Sequence, residues 1–562
     1  MENLLSISNL SVSFATKKVL KNCFFSLNKQ ETLAIVGESG SGKSLSVLSI
    51  MGLLPYSAKL SSDSSIQYNK ENLLINIKEV RGRKISMIFQ EPMTSLNPVY
   101  TCGEQVDEGI IKHLKLNKNE ARVKTLVLFS KVRLKNGDEL YNKYPHELSG
   151  GQKQRVMIAC AIACEPDILI ADEPTTALDV TVQKDIIDLL FQLKDENEMS
   201  LIFITHDLSL VSEIANNVIV MNNGEIVEKG SIQQVFENPE SVYTRALLSC
   251  RPSMTFRYKR LPIVSNFTKG YNEQSDVFVK ITAKERELRQ NSIYCQDPIL
   301  EVKNLHVSYV NRGYNKENTK VINDVSFNLF KRESLGLVGE SGCGKTTLGR
   351  SIVSLINSDK GQVIFHGTNI FEEGQKGLNQ FRKKVQIIFQ DPYSSLNPRL
   401  TVGEAIMEPM TVHKIHKNKQ ERESATKKLL SKVGLPEQAY FLYPHEFSGG
   451  QRQRINIART LALQPEVIIC DESVSALDVS VQAQVLNLFK DLQDEFGLTY
   501  IFISHDLSVV RYFCDKIIVL NQRGNIEEKG DSDELFNNPK SDYTKKLLSS
   551  LPTNKYNLRA SV

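Results

Sequence analysis

The sequence of 562 residues predicts an α/β fold that occurs twice, in two tandem domains. The first observation is that the same ordered blocks of residues appear once in each half of the chain. The second is that short apolar runs end in polar or glycine residues and alternate with helix-length segments, which is typical of a buried, mainly parallel sheet. The third is that one stretch in each half is compatible with helix and lacks strand runs, which predicts an inserted helical subdomain.

The repeat is the strongest of these observations. IVGESGSGKS at 35–44 returns as LVGESGCGKT at 337–346, and YPHELSGGQKQR at 144–155 returns as YPHEFSGGQRQR at 443–454. ISMIFQEPMTSLNP and ADEPTTALDVTVQ also return in order, always at a distance of about 300 residues. We therefore predict a first domain at 1–250, a linker at 251–297, a second domain at 298–552 and a tail at 553–562.

The elements follow from the local pattern in each copy. Apolar runs at 33–36, 168–171 and 201–204 predict strands of the first sheet. The stretches 117–132 and 418–433 predict the inserted helices. The linker contains Pro252, Pro262 and Gly270 and has no sustained apolar periodicity, so we expect it to be helical in part at most.

The composition is that of an ordinary globular chain. Apolar residues make up 41% and charged residues 24%, and 69 Lys and Arg against 65 Asp and Glu leave a net charge of +4. This charge gives no support to nucleic-acid binding. No apolar stretch approaches the ~20 residues that cross a bilayer, and residues 1–10 lack the features of a secretory signal. We expect a cytoplasmic protein whose nine cysteines are reduced thiols.

Both glycine-rich blocks fit the pattern G-x-x-x-x-G-K-[ST] between a strand and a helix. In this pattern backbone N–H groups surround phosphates, the lysine reaches the β- and γ-phosphates, and the hydroxyl ligates Mg²⁺. A plain glycine-rich turn is the alternative, which two matches disfavour. The phosphate-binding candidates are Gly37, Gly40, Gly42, Lys43 and Ser44 in the first copy, and Gly339, Gly342, Gly344, Lys345 and Thr346 in the second.

Two acidic residues follow a buried strand in each copy, in ILIADE and VIICDE. Ligands of open α/β sheets lie at this end of the strands. We predict that Asp172 and Asp471 hold Mg²⁺, and that Glu173 and Glu472 position and polarise the attacking water. Helix-capping or turn carboxylates are the alternative.

His206 and His505 follow another apolar run at the same strand end, where an imidazole reaches a γ-phosphate. Gln90 and Gln390 close the two IFQ runs and are candidates for sensing Mg²⁺ and the lytic water. Taken singly, each of these residues is also compatible with an ordinary core or turn position. Their occurrence in both copies favours the functional interpretation.

The SGGQ blocks precede helix-compatible runs and predict a helix N-terminus rich in N–H donors, which binds anions. A plain serine cap is the alternative. The residues concerned are Ser149, Gly150 and Gly151 in the first copy, and Ser448, Gly449 and Gly450 in the second. Phe14 and Tyr309 lie in matching strands ahead of the glycine loops, where stacking on adenine and a place in the core are both compatible with the pattern.

Taken in order, these motifs resemble the ATP-binding cassette (ABC) ATPases, a P-loop NTPase family. The resemblance adds the ALD loops at Asp179 and Asp478 and spans nearly the whole chain outside the linker. QEPMTSLNP, QDPYSSLNPRLTVGE and the tails PESVYTRALL and PKSDYTKKLL resemble the two ATPase subunits of peptide and nickel importers, here fused as in the duplicated ATPases of peptide, glutathione and microcin-type uptake. Ser473 in place of the Pro174 type and Phe447 in place of the Leu148 type are departures that leave the chemistry intact.

The resemblance implies a subunit that hydrolyses ATP with Mg²⁺ and energises import of peptides or related solutes. Its partners would be two transmembrane permeases and a solute-binding protein, and it would lie on the cytoplasmic face of the plasma membrane. Each phosphate loop would meet the SGGQ segment of the other cassette. Site one would combine the first copy's residues with Ser448 and Gly450, and site two the second copy's residues with Ser149 and Gly151.

A different class, a soluble twin-cassette translation ATPase acting on the ribosome, is the runner-up. Such proteins carry a long, charged, helical linker that reaches RNA, whereas this linker is short and contains two prolines. The motifs do not specify the transported solute.

Overall fold

The structure is a computed structural model, and it describes residues 2–91, 95–175, 178–268, 278–309, 319–475 and 477–551. Among these residues the chain forms two compact units. The first contains residues 2–249 and 264–268, and the second contains residues 250–263 and 278–551. Gly270 of the linker and the tail at 553–562 lie outside the described residues.

The first unit alternates strands and helices along the chain. In chain order its elements are β1 (Asn3–Phe14), β2 (Lys17–Asn28), β3 (Thr32–Gly37), α1 (Lys43–Ile50), β4 (Ala58–Leu60), β5 (Ser65–Tyr68), β6 (Glu71–Asn72), α2 (Leu73–Val80), β7 (Ile85–Ile88), α3 (Cys102–Leu114), α4 (Lys118–Lys131), α5 (Gly137–Tyr141), a 3₁₀ turn (Pro145–Glu147), α6 (Gly150–Ile162), β8 (Ile168–Asp172), α7 (Val180–Glu196), β9 (Ser200–Ile204), α8 (Leu208–Ile214), β10 (Asn217–Asn222), β11 (Glu225–Ser231), α9 (Ile232–Glu237), α10 (Val242–Ser249) and α11 (Val264–Thr268).

The second unit repeats this order after one additional helix. Its elements are α12 (Ala283–Tyr294), β12 (Pro298–Tyr309), β13 (Thr319–Phe330), β14 (Ser334–Val338), α13 (Lys345–Ile352), β15 (Lys360–Phe365), β16 (Thr368–Asn369), α14 (Gly374–Lys384), β17 (Val385–Ile388), α15 (Val402–Val412), α16 (Lys419–Lys432), 3₁₀ turns (Glu437–Phe441 and Pro444–Glu446), α17 (Gly449–Leu461), β18 (Val467–Asp471), α18 (Val479–Phe496), β19 (Thr499–Ile503), α19 (Leu507–Phe513), β20 (Lys516–Leu520), β21 (Ile526–Asp531), α20 (Ser532–Asn537) and α21 (Asp542–Ser549).

Each unit contains the predicted parallel sheet. The strand order is β11-β10-β3-β9-β8-β7 in the first unit and β17-β18-β19-β14-β20-β21 in the second. The apolar runs at 33–36, 168–171 and 201–204 form β3, β8 and β9, whose residues are all buried. These three strands pair in parallel, and β10 pairs in parallel with β3 and antiparallel with β11. The α/β prediction is confirmed.

Each unit also has an antiparallel sheet that the prediction did not include. In the first unit β1 pairs with β2, β4 and β5, and in the second β12 pairs with β13 and β15. The register between β1 and β2 shifts repeatedly, and Asn9 and Asn22 have positive φ within the pair. These bulges interrupt the alternation of polar and apolar residues that identifies a half-buried strand.

The apolar core fixes the strand and the helix on either side of each glycine loop. In the first unit Leu5 and Leu27 of the antiparallel sheet belong to the same buried cluster as Ile35 of β3 and Val47 of α1. The second unit has an equivalent cluster. Both strand and helix that flank the phosphate loop are therefore anchored in the core.

The inserted helices occur where the sequence predicted them. α4 begins after Asn117, whose side chain accepts from the N–H groups of Asn119 and Glu120, and α16 begins after Asn418. Asparagine caps of this kind define the start of a helix in the sequence as well as in the structure. In the part of the chain that the structure describes, no helix is both long and apolar enough to cross a membrane.

Candidate functional site

The two glycine loops lie between β3 and α1 and between β14 and α13. Gly40 and Gly342 have φ of 79° and 80°, a backbone conformation that residues with a Cβ atom seldom adopt. At Gly37 a Cβ atom would lie 2.2 Å from the carbonyl oxygen of Met221. The glycines are therefore required by the backbone of the loop and by its close packing against the next strand.

The lysine of each loop is bound to the loop itself. The Nζ of Lys43 donates to the carbonyl oxygens of Gly37 and Glu38, both at 2.9 Å. The Nζ of Lys345 makes the same pair of bonds, to Gly339 at 2.8 Å and to Glu340 at 2.9 Å. This places a positive charge inside the curve of the loop, where the phosphates of a nucleotide bind.

The hydroxyl that follows each lysine meets the first acid of the neighbouring strand. The Oγ of Ser44 donates to Oδ1 of Asp172 at 3.1 Å, and the Oγ1 of Thr346 donates to Oδ1 of Asp471 at 2.8 Å. Parallel pairing of β3, β9 and β8 brings these residues, distant in sequence, to one edge of the sheet.

The second acid of each pair joins the predicted glutamine and histidine. In the first unit Oε2 of Glu173 accepts from Nε2 of Gln90 at 3.1 Å and lies 3.5 Å from Nδ1 of His206. In the second unit Oε2 of Glu472 is 2.7 Å from Nε2 of Gln390 and 3.4 Å from Nδ1 of His505. All of the predicted catalytic side chains of one copy therefore lie together.

Burial and charge control the protonation of these groups. Burial raises the pKa of Asp172 to about 6, and burial also raises the pKa of Asp471. Burial acts to lower the pKa of His206, but the hydrogen bond and negative charge of Glu173 outweigh it and raise the pKa. The pKa of His505 is raised in the same way, and His505 in turn lowers the pKa of Glu472 against the effect of its burial. Glu472 and His505 thus stabilise each other's charged form, and Glu173 stabilises the charged form of His206.

Both interpretations of the SGGQ serine have a counterpart in the structure. Ser149 caps α6, and its Oγ accepts from the backbone N–H of Gln152 at 3.3 Å. Ser448 caps α17 through Gln451 in the same manner. Both serines are exposed, so each capped helix end remains open to a ligand.

The two glycines of each SGGQ block have different roles. A Cβ on Gly450 would lie 2.2 Å from Cγ1 of Val481, and one on Gly151 would lie 3.0 Å from Cγ1 of Val182. A Cβ on Gly449 meets nothing within 4 Å among the described atoms, and one on Gly150 meets only Leu178 at 3.7 Å. Gly151 and Gly450 therefore permit close packing against the following helix, α7 or α18. Gly150 and Gly449 leave space in front of the helix end.

The other predicted residues have the following places. Phe14 ends β1 and is half-buried, and Tyr309 ends β12 and is exposed, with its hydroxyl 3.3 Å from Oγ1 of Thr347. Asp179 and Asp478 cap α7 and α18. The exposed ring of Tyr309 is available for stacking.

Sequence reasoning missed one pair of tyrosines. The hydroxyl of Tyr243 on α10 accepts from the backbone N–H of Glu38 at 3.3 Å, and that of Tyr543 on α21 accepts from Glu340 at 3.3 Å. Both bonds reach the second residue of a phosphate loop from a helix near the end of the copy. The signal was present, because VYT and DYT occupy the same place in the two repeated tails.

Two family profiles match both copies of the repeat. The profile of the family "ABC transporter" matches residues 20–176 and 322–475. The profile "Oligopeptide/dipeptide transporter, C-terminal region" matches residues 227–273 and 528–561. A solved bacterial ABC transporter cassette, MJ0796, is 29% identical, with a TM-score of 0.38, over 42% of this chain and 98% of that chain.

Relatives similar over nearly the whole chain are glutathione import ATP-binding proteins named GsiA. The protein from Shigella boydii serotype 4 is 44% identical, and that from Escherichia coli strain K12 is 43% identical. In both cases the similarity covers 98% of this chain and 90% of the relative. The protein from Pectobacterium atrosepticum is 42% identical with the same coverage.

The two cassettes and their phosphate loops define an ABC ATPase that binds and hydrolyses ATP. The resemblance seen in the motifs is therefore confirmed. More particularly, the chain belongs to the ATP-binding subunits of ABC importers of the oligopeptide, dipeptide and glutathione group, with two cassettes in one polypeptide. As an import subunit it works with membrane permease partners.

Proposed function

We propose that the chain hydrolyses ATP at two sites, each built from one cassette's phosphate loop and completed by the SGGQ helix end of the other. Its cassettes correspond to residues 1–250 and 298–552. The observation that carries this proposal is the identical Gln–Glu–His cluster beside each loop, because neither copy has lost a reacting group. ATP would hold the cassettes together until hydrolysis removes the bridging phosphate.

The chemistry of each site follows from its side chains. Lys43 and Lys345 balance the charge of the β- and γ-phosphates, and the loop N–H groups orient them. Glu173 and Glu472 position and polarise the attacking water, which their glutamine partners also contact. His206 and His505 approach the γ-phosphate, and their raised pKa favours a charged imidazole at that position. Adenine would stack on Phe14 and Tyr309.

The residues at the edge of the sheet fit Mg²⁺. Ser44 and Asp172 in one copy, and Thr346 and Asp471 in the other, offer the hard oxygen atoms that this ion prefers, and Gln90 and Gln390 add amide oxygens. Within the described part of the chain, Oδ2 of Asp471 is buried and has no hydrogen-bond partner. A buried carboxylate oxygen of this kind requires a counter-charge. Bound Mg²⁺ would neutralise the phosphate oxygens.

The transport context rests on the relatives. They are named as glutathione import proteins, so we infer glutathione or a peptide of similar size as the solute. The partners would be two transmembrane permeases and a solute-binding protein, with the chain held on the cytoplasmic face of the plasma membrane. Uptake of labelled glutathione by cells that carry the complete transporter, with and without this chain, tests the solute independently of ATP turnover.

The test of the two sites is the double variant Glu173→Gln plus Glu472→Gln. We expect ATP turnover to fall by about a hundredfold or more, because general-base positioning is lost, while ATP binding is retained. Each single variant should leave one site intact. Glu225→Gln, at an exposed ion pair with Lys21, is the matched control and should leave turnover unchanged. An unchanged rate in the double variant would contradict the assignment.

A further inference from the structure

Residues 257–263 and 278–294, here called the segment, lie between the two cassettes in the sequence. They belong to the second unit and are bound to it through arginines. Arg257 donates from Nη1 to the carbonyl oxygen of Cys514 and from Nη2 to Oδ1 of Asp533, both at 3.0 Å. Arg260 binds both oxygens of Asp491, at 2.6 and 2.9 Å. These contacts fix the first half of the segment on α18 and α20.

The second half of the segment, α12, contributes two more arginines. Arg286 donates from Nη2 to Oδ2 of Asp531 at 2.6 Å and also pairs with Asp533. Arg289 donates from Nε to Oδ1 of Asp515 at 3.0 Å, and its Nη2 donates to Oε1 of Gln493 at 3.1 Å. Four arginines therefore face four aspartates, a set that we call the arginine clasp: Arg257, Arg260, Arg286 and Arg289 with Asp491, Asp515, Asp531 and Asp533.

The two halves of the segment are also joined to each other. The N–H of Lys259 donates to the carbonyl oxygen of Val279, and that of Ile281 donates to Arg257, both at 2.8 Å. At the end of α12 the hydroxyl of Tyr294 donates to Oε1 of the buried Glu333 at 2.9 Å. Backbone hydrogen bonds therefore join the two halves of the segment to each other, and Tyr294 binds the end of α12 to the second unit.

The first copy of the repeat lacks all four carboxylates. Aligning the copies places Gln192 opposite Asp491, Asn216 opposite Asp515, Ser231 opposite Asp531 and Gln233 opposite Asp533. No carboxylate of the clasp has a charged counterpart, although the surrounding residues repeat closely.

The neutral residues still perform the aspartates' other tasks. Oδ1 of Asn216 accepts from the N–H of Thr32 at 2.8 Å, as Oδ2 of Asp515 accepts from Ser334 at 3.0 Å. Ser231 caps α9 as Asp531 caps α20. The fold of a cassette therefore needs a polar acceptor at these positions but does not need the negative charge. The charge of Asp515 and Asp531 is explained by the arginines of the segment, whereas Oδ1 of Asp533 also lies 3.6 Å from Nε of Arg511 in the cassette itself.

Because two of the arginines are buried, they need the negative charge of the aspartates. The side chains of Arg257 and Arg286 are only 10% and 12% exposed, so their guanidinium groups need counter-charges. On the neutral surface of the first copy the same arginines would be buried without carboxylates.

We propose that this edge of the second cassette is a docking surface for the chain's own residues 257–263 and 278–294, and that the four aspartates select the second copy over the first. The segment acts as a permanent part of the second cassette. The surface also explains why the intervening sequence carries its arginines at these positions, since they have no part in the nucleotide chemistry.

The experiment measures hydrogen exchange of α12 in the full-length chain. The first variant gives the second copy the residues of the first: Asp491→Gln, Asp515→Asn, Asp531→Ser and Asp533→Gln. These residues already serve the same fold, so the cassette should still bind ATP, which is measured in parallel. We expect exchange in α12 to accelerate by about tenfold or more as the segment detaches.

A second variant, Arg257→Gln with Arg260→Gln, Arg286→Gln and Arg289→Gln, leaves every residue of the cassette surface in place. It should accelerate exchange to a similar degree, and combining it with the first variant should add little, because both remove the same pairs. Glu225→Gln in the first cassette is the control and should leave α12 unchanged. Protection of α12 equal to that of the unmodified chain in both variants, or fully additive effects, would overturn the proposal.

Discussion

Glu173 and Glu472 have a left-handed backbone, with φ of 46° and 48°. Such a conformation costs a side-chain-bearing residue about 1 kcal/mol or more. The backbone N–H of each glutamate donates to the neighbouring strand, to Ile204 at 2.9 Å and to Ile503 at 3.0 Å. This bond holds the strained residue in place, so that its carboxylate faces the glutamine and the histidine.

Replacing Tyr543 with Phe tests the missed contact to the phosphate loop. The variant removes the hydroxyl that accepts from the N–H of Glu340 but keeps the ring. We expect the KM for ATP at the second site to rise about three- to fivefold with kcat nearly unchanged, since one neutral hydrogen bond is lost. Steady-state ATPase measurements in a Glu173→Gln background isolate this site. Tyr56→Phe, at a fully exposed tyrosine, is the control, and an equal effect there would refute the assignment.

Cys343 offers a second test at the residue scale. It replaces Ser41 of the first loop, it is buried, and its Sγ lies 3.9 Å from Nζ of Lys345. Burial raises the pKa of the thiol, so we expect slow labelling by a maleimide and still slower labelling with ATP bound. Cys295 is exposed and provides an internal control whose labelling should not respond to ATP. Mass spectrometry of the labelled peptides distinguishes the two, and equal labelling of Cys343 with and without ATP would exclude the loop placement.

At the scale of elements, the glycine loops depend on two separate constraints. Gly342 has φ of 80° with nothing near its Cβ position among the described atoms, whereas a Cβ on Gly339 would lie 2.4 Å from the carbonyl oxygen of Leu520. We expect Gly342→Ala to lower the free energy of unfolding by about 1 kcal/mol and Gly339→Ala to lower it clearly further. Urea unfolding of both variants measures the difference. Equal losses would mean that the close approach to Leu520 has no energetic role.

The sequence predicted those elements whose signals are local. The inserted helices were visible because the stretches 117–132 and 418–433 are compatible with helix and lack strand runs. The parallel strands were visible because β3, β8 and β9 each contain an uninterrupted run of apolar residues. The antiparallel sheet was not predicted, since bulges shift the register of β1 against β2. Alternation along the chain fails where the backbone itself is irregular.

The site residues were predictable for a similar reason. Lys43, Asp172 and His206 each follow an apolar run, and parallel pairing gathers the ends of those runs at one edge. Tyr243 was missed because it lies on a helix and reaches the loop through tertiary packing alone. The clasp was missed because an aspartate carries no local signal that specifies an arginine far away in the chain.

At the scale of the whole molecule, the second cassette should respond to pH. Burial raises the pKa of Glu333 from 4.5 to about 7. The folded state therefore holds a proton that the unfolded chain has lost between these pH values, so stability falls as pH rises across this range. We expect Glu333 to contribute a loss of about 3 kcal/mol to the stability of the second cassette from pH 4.5 to 7.5, and Glu333→Gln should remove this contribution.

Thermal or urea unfolding at several pH values measures this effect. Glu287→Gln, at an exposed position on α12, is the control and should keep the pH dependence of the unmodified chain. A pH dependence that persists unchanged in Glu333→Gln would assign it to other groups.

The arginine clasp makes the two copies of the repeat unequal in a way that the nucleotide-binding residues do not reveal. A second cassette that carried the first copy's residues at the four aspartate positions would keep every nucleotide-binding group. It would nevertheless lose the carboxylates that bind the segment. The two cassettes are therefore not interchangeable along the chain, although their nucleotide-binding residues match.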